Sequence, residues 1–444
     1  VFTNVTAHPV STVRRKFISF PIADFQQTKL QMLSWVNRFN ICCFLDNQHY
    51  HLPLHSFECM AAAGSVQTLL TAAGTAFDQL RSLYSQHNDW LFGHLGYDLK
   101  NETEEGLTSN NPDRIGFPDC CFFIPQVVLQ LNEHELSIGA FDNRHENIFH
   151  EISAANPVTG ISRQLHTAIN NRISKEEYIH IVQQLQQHIL RGDCYEINFC
   201  QEFFAENVSI DPLQVYYVLS NTSPNPFAAF YKTGHRYLLC ASPERYIKKA
   251  GDKIISQPIK GTSKRNLFNA AEDVKNKDHL YNSSKDRSEN VMIVDLVRND
   301  LSKICEEASV QVEELFGVYS FPQVHQMIST ISGQLRSDIH FIDAIIATFP
   351  MGSMTGAPKK KVMELIEQYE KTKRGIFSGA VGYITPEGDF DFNVVIRSIL
   401  YNAADNYLSF QAGSGITFYS DPEKEYEECL LKAEAIKTVL SNKK

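Results

Sequence analysis

Gln257-Pro258-Ile259-Lys260-Gly261-Thr262 is the stretch around which the rest of the chain is read. It follows the apolar pair Ile254-Ile255, which reads as a short buried strand, and leads into the polar Ser263-Lys264-Arg265. A lysine at a strand end, between a β-branched residue and a glycine, can point into a cleft. The glycine then lets a substrate or metal approach the backbone closely. The plainer alternative is a solvated lysine on a turn, and what decides between them lies elsewhere in the chain.

With 444 residues the chain can bury a large core, as two or three domains or one large interleaved unit. Hydrophobic residues at 43% and charged residues at 21% are ordinary globular usage. A formal net charge of -10 argues against a general nucleic-acid surface, because phosphate backbones are held mainly by Lys and Arg. The 10 cysteines include two adjacent pairs but no Cys-x-x-Cys spacing, so neither a zinc site nor a disulfide framework is expected. Free thiols in a reducing cytoplasm are the simplest reading. Val1-Phe2-Thr3 opens no signal-peptide pattern, and no apolar run has the length of a membrane span.

Ile41-Cys42-Cys43-Phe44-Leu45 reads as a strand closed by the turn Asp46-Asn47-Gln48, and 51–60 as another extended piece. A helix is predicted over 73–83, scaffold over the glycine-punctuated 90–98 and a surface loop over 101–116. Strands are predicted within 117–138 and a polar connection over 142–173. Ser174-Lys175-Glu176-Glu177 is a capping box, and behind it Tyr178, Ile181, Val182, Leu185 and Ile189 recur at helical spacing, predicting a helix over 175–190. Further helices are predicted at 283–299, 343–348, 359–369 and 422–440, and strands at 194–203, 237–241, 380–384, 391–401 and 407–412. The mixture predicts an α+β fold with antiparallel sheets.

Candidate chemistry is concentrated in the second half. Glu425 and Glu428 lie three apart on the closing helix, with Lys432 four beyond, so all three can share a face. Glu289 precedes an apolar run on another helix. Magnesium favours such carboxylate oxygens, although a glutamate pair on a helix is more often a solvated face. Gly413-Ser414-Gly415 offers open backbone N–H groups to an anion, or is simply a turn. Arg397, among β-branched residues, is either an edge-strand residue facing water or a bidentate carboxylate binder. His325, between two apolar runs, is either a satisfied core histidine or a hydrogen-bond donor to substrate.

A set of motifs then weighs on these alternatives: Ser242-Pro243-Glu244-Arg245, Pro258-Ile259-Lys260-Gly261-Thr262, Lys285-Asp286-Arg287-Ser288-Glu289-Asn290, Thr355-Gly356-Ala357-Pro358-Lys359, Gly379-Ala380-Val381-Gly382-Tyr383, Ile396-Arg397-Ser398, Gly413-Ser414-Gly415-Ile416 and Glu425-Tyr426-Glu427-Glu428. In this order over about 175–440 they resemble the chorismate-utilising enzymes, among them anthranilate, aminodeoxychorismate, isochorismate and salicylate synthases. The resemblance implies two large antiparallel sheets packed together, flanked by helices, with the active site between them. It implies an N-terminal region (1–140) interleaved with the core, a connection (141–174) and a chorismate-binding catalytic part (175–444). Glu289, Glu425 and Glu428 match its magnesium site. Arg397, Lys432 and the Gly413, Ser414 and Gly415 backbone match its carboxylate-binding elements, and His325 and Thr355 match residues close to the ring. Thr262, Gly356 and Tyr383 match as members of their motifs, Thr262 on the catalytic side and the other two on the substrate side. Chorismate is a dianion, so a chain of charge -10 needs a metal and local cations to hold it.

Members of this family share substrate and metal but differ in the group they add. Lys260 resembles the aminodeoxychorismate-forming members, where the others typically carry alanine. Amination at C4 with retention suits two displacements through an enzyme adduct, with Lys260 as nucleophile and Glu244 as its acid–base partner. For that, the site must lower the lysine pKa or remove the proton as substrate binds. The water-adding members carry a lysine where this chain has Glu196; amine-transferring members more often have glutamine there, so Glu196 is a departure without an assigned role. No Gly-x-Cys-x-Gly glutaminase motif is present, so ammonia is expected from a separate glutaminase subunit. The alternatives are an anthranilate synthase, an isochorismate or salicylate synthase, or a non-enzymatic binding module.

Overall fold

The computed structural model describes residues 14–50, 57–160, 168–321 and 324–441. Its frame is two antiparallel sheets, one of 12 strands and one of 10. The central strands of the larger sheet run Ile41–Asp46, Phe227–Thr233, Arg236–Ser242, Ser398–Asn402, Tyr407–Ile416, Glu196–Ala205. The smaller runs Ile259–Lys264, Val324–Gln334, Lys253–Gln257, Arg245–Ala250, Phe390–Asn393, Ala380–Ile384, Leu91–Leu95 and on to its far edge. Each sheet therefore joins strands from both ends of the sequence: Ile41–Asp46 pairs with Phe227–Thr233, and Leu91–Leu95 with Ala380–Ile384.

The pleat divides the apolar residues between two cores. Cys42 and Phe44 turn toward an outer layer of helices with Trp35, Tyr178, Tyr216 and Ile436, whereas Cys43 turns inward with Phe92, Phe122 and Ile247 of the smaller sheet. Both faces of the larger sheet are thus covered, which is why its strands read as unbroken apolar runs. The helices Phe25–Val36, Lys175–Leu190, Pro212–Thr222 and Pro422–Ser441 supply the outer layer. Every cysteine is free and buried. Burial pushes the Cys42, Cys121 and Cys200 thiols up to about 12, so they are inert packing groups.

The helix at Lys175–Leu190 starts as its capping box predicts, with Ser174 Oγ accepting from Glu177 N at 3.1 Å. Other elements differ from expectation for identifiable reasons. The predicted connection over 142–173 contains a helix, His145–Ser153, whose fully buried apolar residues are only Ile148 and Ile152, with Phe149 partly buried beside them. The helix expected at 73–83 is Ala76–His87, and the loop expected at 101–116 opens with one helical turn, Lys100–Thr103. Of the extended piece expected at 51–60, residues 51–56 lie outside the described residues, and its end belongs to the strand Cys59–Ala63.

The consequential correction concerns 391–401, expected as a single strand. It is two, Phe390–Asn393 in the smaller sheet and Ser398–Asn402 in the larger. Between them the chain crosses from sheet to sheet, and Arg397 stands in the crossing with a φ of 51°. Arg236–Ser242 and Arg245–Ala250 make the opposite crossing, with Glu244 in it. Val394 N donates to Glu244 O at 3.0 Å and Ala241 N to Arg397 O at 3.3 Å, so the two crossings lie side by side. The apolar residues Val394-Val395-Ile396 bridge the two strands, so hydrophobicity along the sequence does not mark the break.

Candidate active site

Lys260 reaches across the gap between the sheets. Its strand pairs with Val324–Gln334 through Ile259↔Ile328 and Thr262↔Gln326, and the register slips between these pairs, at Lys260 and Gly261. Such an irregularity re-aims a side chain, and Gly261 absorbs it with a φ of +94°. Lys260 Nζ donates to Glu196 Oε1 of the larger sheet at 2.6 Å and lies 3.9 Å from Glu289 Oε2. Burial opposes the ammonium charge, but the Glu196 and Glu289 carboxylates more than offset it, and the lysine pKa is raised above its ordinary value. The direction is opposite to a lowered pKa, which leaves proton removal on substrate binding as the route to a neutral amine.

Glycine is required beside this pair for space. A Cβ on Gly415 would stand 2.4 Å from Glu196 Oε1 and 2.7 Å from Lys260 Nζ. A Cβ on Gly413 would meet Phe199 O at 1.9 Å, and one on Gly356 would meet Glu196 O at 2.1 Å. Gly356 and Ala357 pair with Ile197 and Glu196, and Asn198 N donates to Thr355 O at 2.8 Å, fixing the Thr355 turn against the strand that carries Glu196. Arg374, not singled out in the sequence, completes this clamp. It is buried, pairs with Glu370 at 2.6 Å, and donates to Met354 O at 2.6 Å and Asn198 O at 2.8 Å.

Two helices bring the other carboxylates. Glu289 projects from Ser284–Ser302, and Glu425 and Glu428 from Pro422–Ser441. Lys285 stands between the helices, its Nζ 3.8 Å from Glu289 Oε1 and 3.6 Å from Glu425 Oε1. Glu428 pairs with Lys432 at 2.8 Å, and Lys432 also donates to Gly413 O at 2.8 Å. Burial raises Glu289 to about 7, with Lys260 pulling the other way. Glu289 Oε1 and Glu425 Oε2 are buried and have no hydrogen-bond partner among the described residues. Hard oxygen donors with unsatisfied buried atoms suit a magnesium ion in chemical type. Among the described residues, however, no three acidic, histidine or cysteine side chains are drawn close enough to hold one. Lys285 and Lys432 take up the carboxylates instead.

The crossings contribute the remaining groups. Burial raises Glu244 to about 7, while the charges of Lys260 and Arg397 oppose the rise. Arg397 has Glu244 as its electrostatic neighbour, and among the described residues its guanidinium makes no hydrogen bond or ion pair. A half-buried guanidinium whose N–H groups are not taken up by an internal carboxylate is suited to a carboxylate ligand. Ser414 is buried, and its hydroxyl has no hydrogen-bond partner among the described residues.

Three predicted site residues are not joined to this group by any described contact. His325 is buried with Nδ1 at 2.9 Å from Ser320 Oγ and Nε2 at 3.1 Å from Asp273 Oδ1, so both ring nitrogens are engaged. Thr262 is exposed in its strand. Tyr383 sits 5.8 Å from Trp90 and 5.9 Å from Phe92, ring to ring, on the face of Ala380–Ile384 that lines a separate cavity of about 70 Å³ with Phe57 and Phe227. Lys285 was legible only as a motif member. No spacing rule would have placed it between two carboxylates on different helices.

The chain matches known proteins over most of its length. The chorismate binding enzyme family matches residues 43–438. Aminodeoxychorismate synthase component 1 of Klebsiella aerogenes is 35% identical over 346 residues, 78% of this chain and 75% of that one. The chloroplastic aminodeoxychorismate synthase of Arabidopsis thaliana is 35% identical over 368 residues; the match takes in 77% of this chain but only 39% of that protein. A matching rice protein is likewise spanned over 42% of its length. Anthranilate synthase component I from Streptococcus pneumoniae superposes with a TM-score of 0.76 at 26% identity, covering 87% of this chain and 94% of that one. Two sheets with the site at their seam, the ordered motifs and a match over most of the sequence lead to one conclusion: the chain belongs to the chorismate binding enzyme family.

Proposed function

We propose that the chain converts chorismate and ammonia to 4-amino-4-deoxychorismate through a covalent adduct on Lys260. The observation that carries this reading is a lysine between the sheets whose amine is held 2.6 Å from one carboxylate and 3.9 Å from another. Once its proton is removed, the amine attacks C2 of the ring, the double bond shifts, and the C4 hydroxyl departs. Glu244, raised to about 7 and so partly protonated near neutrality, gives that hydroxyl its proton. Ammonia then adds at C4, the double bond returns, and Lys260 is expelled. Arg397 and the Gly413–Gly415 backbone receive substrate carboxylate. Glu289, Glu425 and Glu428 would hold magnesium, which supplies positive charge for the ring carboxylate once Lys285 has swung aside. His325, Thr262 and Tyr383 have no part in these steps.

The relatives named aminodeoxychorismate synthase support this product over anthranilate, and an ammonia-supplying glutaminase is proposed as partner. The test is product analysis with chorismate, magnesium and ammonium chloride: 4-amino-4-deoxychorismate is expected, and anthranilate as main product would overturn the reading. Glutamine should serve as nitrogen source only after a glutaminase subunit is added.

A further inference from the structure

Behind the site, three buried polar atoms lie together without a hydrogen-bond partner among the described residues: Tyr178 Oη, Ser414 Oγ and Glu425 Oε2. Their residues are 0%, 2% and 2% exposed, so solvent does not serve them. Strand and helix geometry brings the three together. A Cβ on Gly415 would face Glu196 and Lys260, so Ser414, one residue earlier, points the other way, into the outer core with Ala412 and Ile416. The closing helix runs back over this strand, and Cys429 Sγ donates to Ala412 O at 3.3 Å. One helical turn earlier, about 5.4 Å, roughly matches two strand residues further on, about 6.6 Å, which sets Glu425 over Ser414. Tyr178 comes in from Lys175–Leu190. Its ring lies 5.1 Å from that of Phe199, the register partner of Ser414, and 5.3 Å from that of Tyr426. Burial pushes the Tyr178 phenol well above its ordinary range, and the Ser414 hydroxyl and the Glu425 charge are near enough to act on it as well.

We propose that Tyr178 and Ser414 are positioning residues for Glu425, their hydroxyls donating to Oε2 from the outer-core side. The inference rests on the reading that Glu425 helps to hold magnesium. One carboxylate oxygen has lone pairs enough for both hydroxyls. The Ser414 χ1 angle and the terminal torsion of Glu425 are the rotations that close the contacts. Held at Oε2, the carboxylate keeps Oε1 turned toward Lys285, 3.6 Å away between the two helices. Glu428 has no such backing: it is half exposed and pairs with Lys432 on its own helix. Of the two glutamates on the closing helix, Glu425 is therefore the one whose direction is set from inside the protein.

The experiment is calorimetric magnesium binding to wild type, Tyr178→Phe and Ser414→Ala, each of which removes a single oxygen. Losing the partner of a metal-ligating group costs about 10- to 100-fold in metal affinity, so each variant should raise the magnesium Kd at least about tenfold, with circular dichroism unchanged. Cys429→Ala loosens the same helix one turn away and should leave the Kd within twofold of wild type. A Kd within twofold of wild type in either hydroxyl variant overturns the role of that residue. Equal weakening by Cys429→Ala overturns both, because the effect would then be the seating of the helix. A second reading needs no metal. In metal-free protein, the fall in urea midpoint caused by Ser414→Ala should be at least halved on a Glu425→Ala background, and equal falls on the two backgrounds overturn the contact. Wild type that binds no magnesium while this coupling holds would sink the metal reading and leave the positioning of Glu425 standing.

Discussion

Replacing Gly415 with alanine tests whether the Glu196–Lys260 pair is as tightly confined as its geometry indicates. The added Cβ would lie 2.4 Å from Glu196 Oε1 and 2.7 Å from Lys260 Nζ. Ordinary contact distances begin near 3.4 Å, so one or both side-chain ends must retreat by roughly 0.7–1 Å. Both are flexible tips and neither is backbone, so the stability cost should stay near about 1–2 kcal/mol, at the low end for overpacking. Catalysis is more exposed to the same shift, since misplacing a reacting group by about 1 Å can cost on the order of 100-fold. Activity should therefore fall about 100-fold while the urea midpoint moves little. Gly160→Ala, where a Cβ meets nothing within 4 Å, is the control and should leave both unchanged. The assay pairs ammonium-dependent turnover with urea melts. A Gly415→Ala enzyme at near wild-type rate would refute the confinement; a collapse in stability would refute the weighing of the two effects.

Three other perturbations address separate parts of the account. Glu289→Ala, Glu425→Ala and Glu428→Ala should each abolish turnover at limiting magnesium and leave circular dichroism unchanged, and near-normal activity in all three would show the metal site to be misplaced. Arg374→Met leaves Glu370 buried without its partner and frees the Met354 and Asn198 carbonyls, so a loss of about 3–5 kcal/mol is expected in denaturant melts; a loss below about 1 kcal/mol would contradict the clamp. His94 is buried, with its pKa lowered by burial to about 4, so the unfolded chain takes up this proton first as pH falls. Its contribution to stability is present above 6.5 and is lost progressively between about 6.5 and 4, amounting to about 3 kcal/mol. His94→Gln should flatten that acid limb, and an unchanged slope would count against it.

The legible part of the chain was what side-chain type and spacing encode directly. The Ser174 capping box fixed the start of Lys175–Leu190, and the motifs marked Lys260, Glu289, Glu425 and Arg397 as chemistry-bearing. Hidden from sequence was whatever depends on residues distant along the chain. Glu196 is 64 residues from Lys260, and its partnership is made only because the two sheets face each other. The crossing at Arg397 was invisible because the apolar run Val394-Val395-Ile396 continues into it while the chain changes sheets. Gly413 and Gly415 read as an anion-binding stretch or a turn; in the fold a side chain at Gly413 would meet the backbone of the facing strand, and one at Gly415 the Glu196–Lys260 pair. His145–Ser153 went unread because its fully buried apolar residues are only two isoleucines.

The account stands most directly on whether Lys260 forms a bond to substrate. Wild-type protein mixed with chorismate and magnesium, without ammonia, should gain the mass of chorismate less water, on the peptide that contains Lys260. Adding ammonium should discharge the adduct as 4-amino-4-deoxychorismate, and Lys260→Ala should form none. If no adduct appears under turnover-competent conditions and Lys260→Ala still makes product at the wild-type rate, the lysine between the sheets is not the nucleophile.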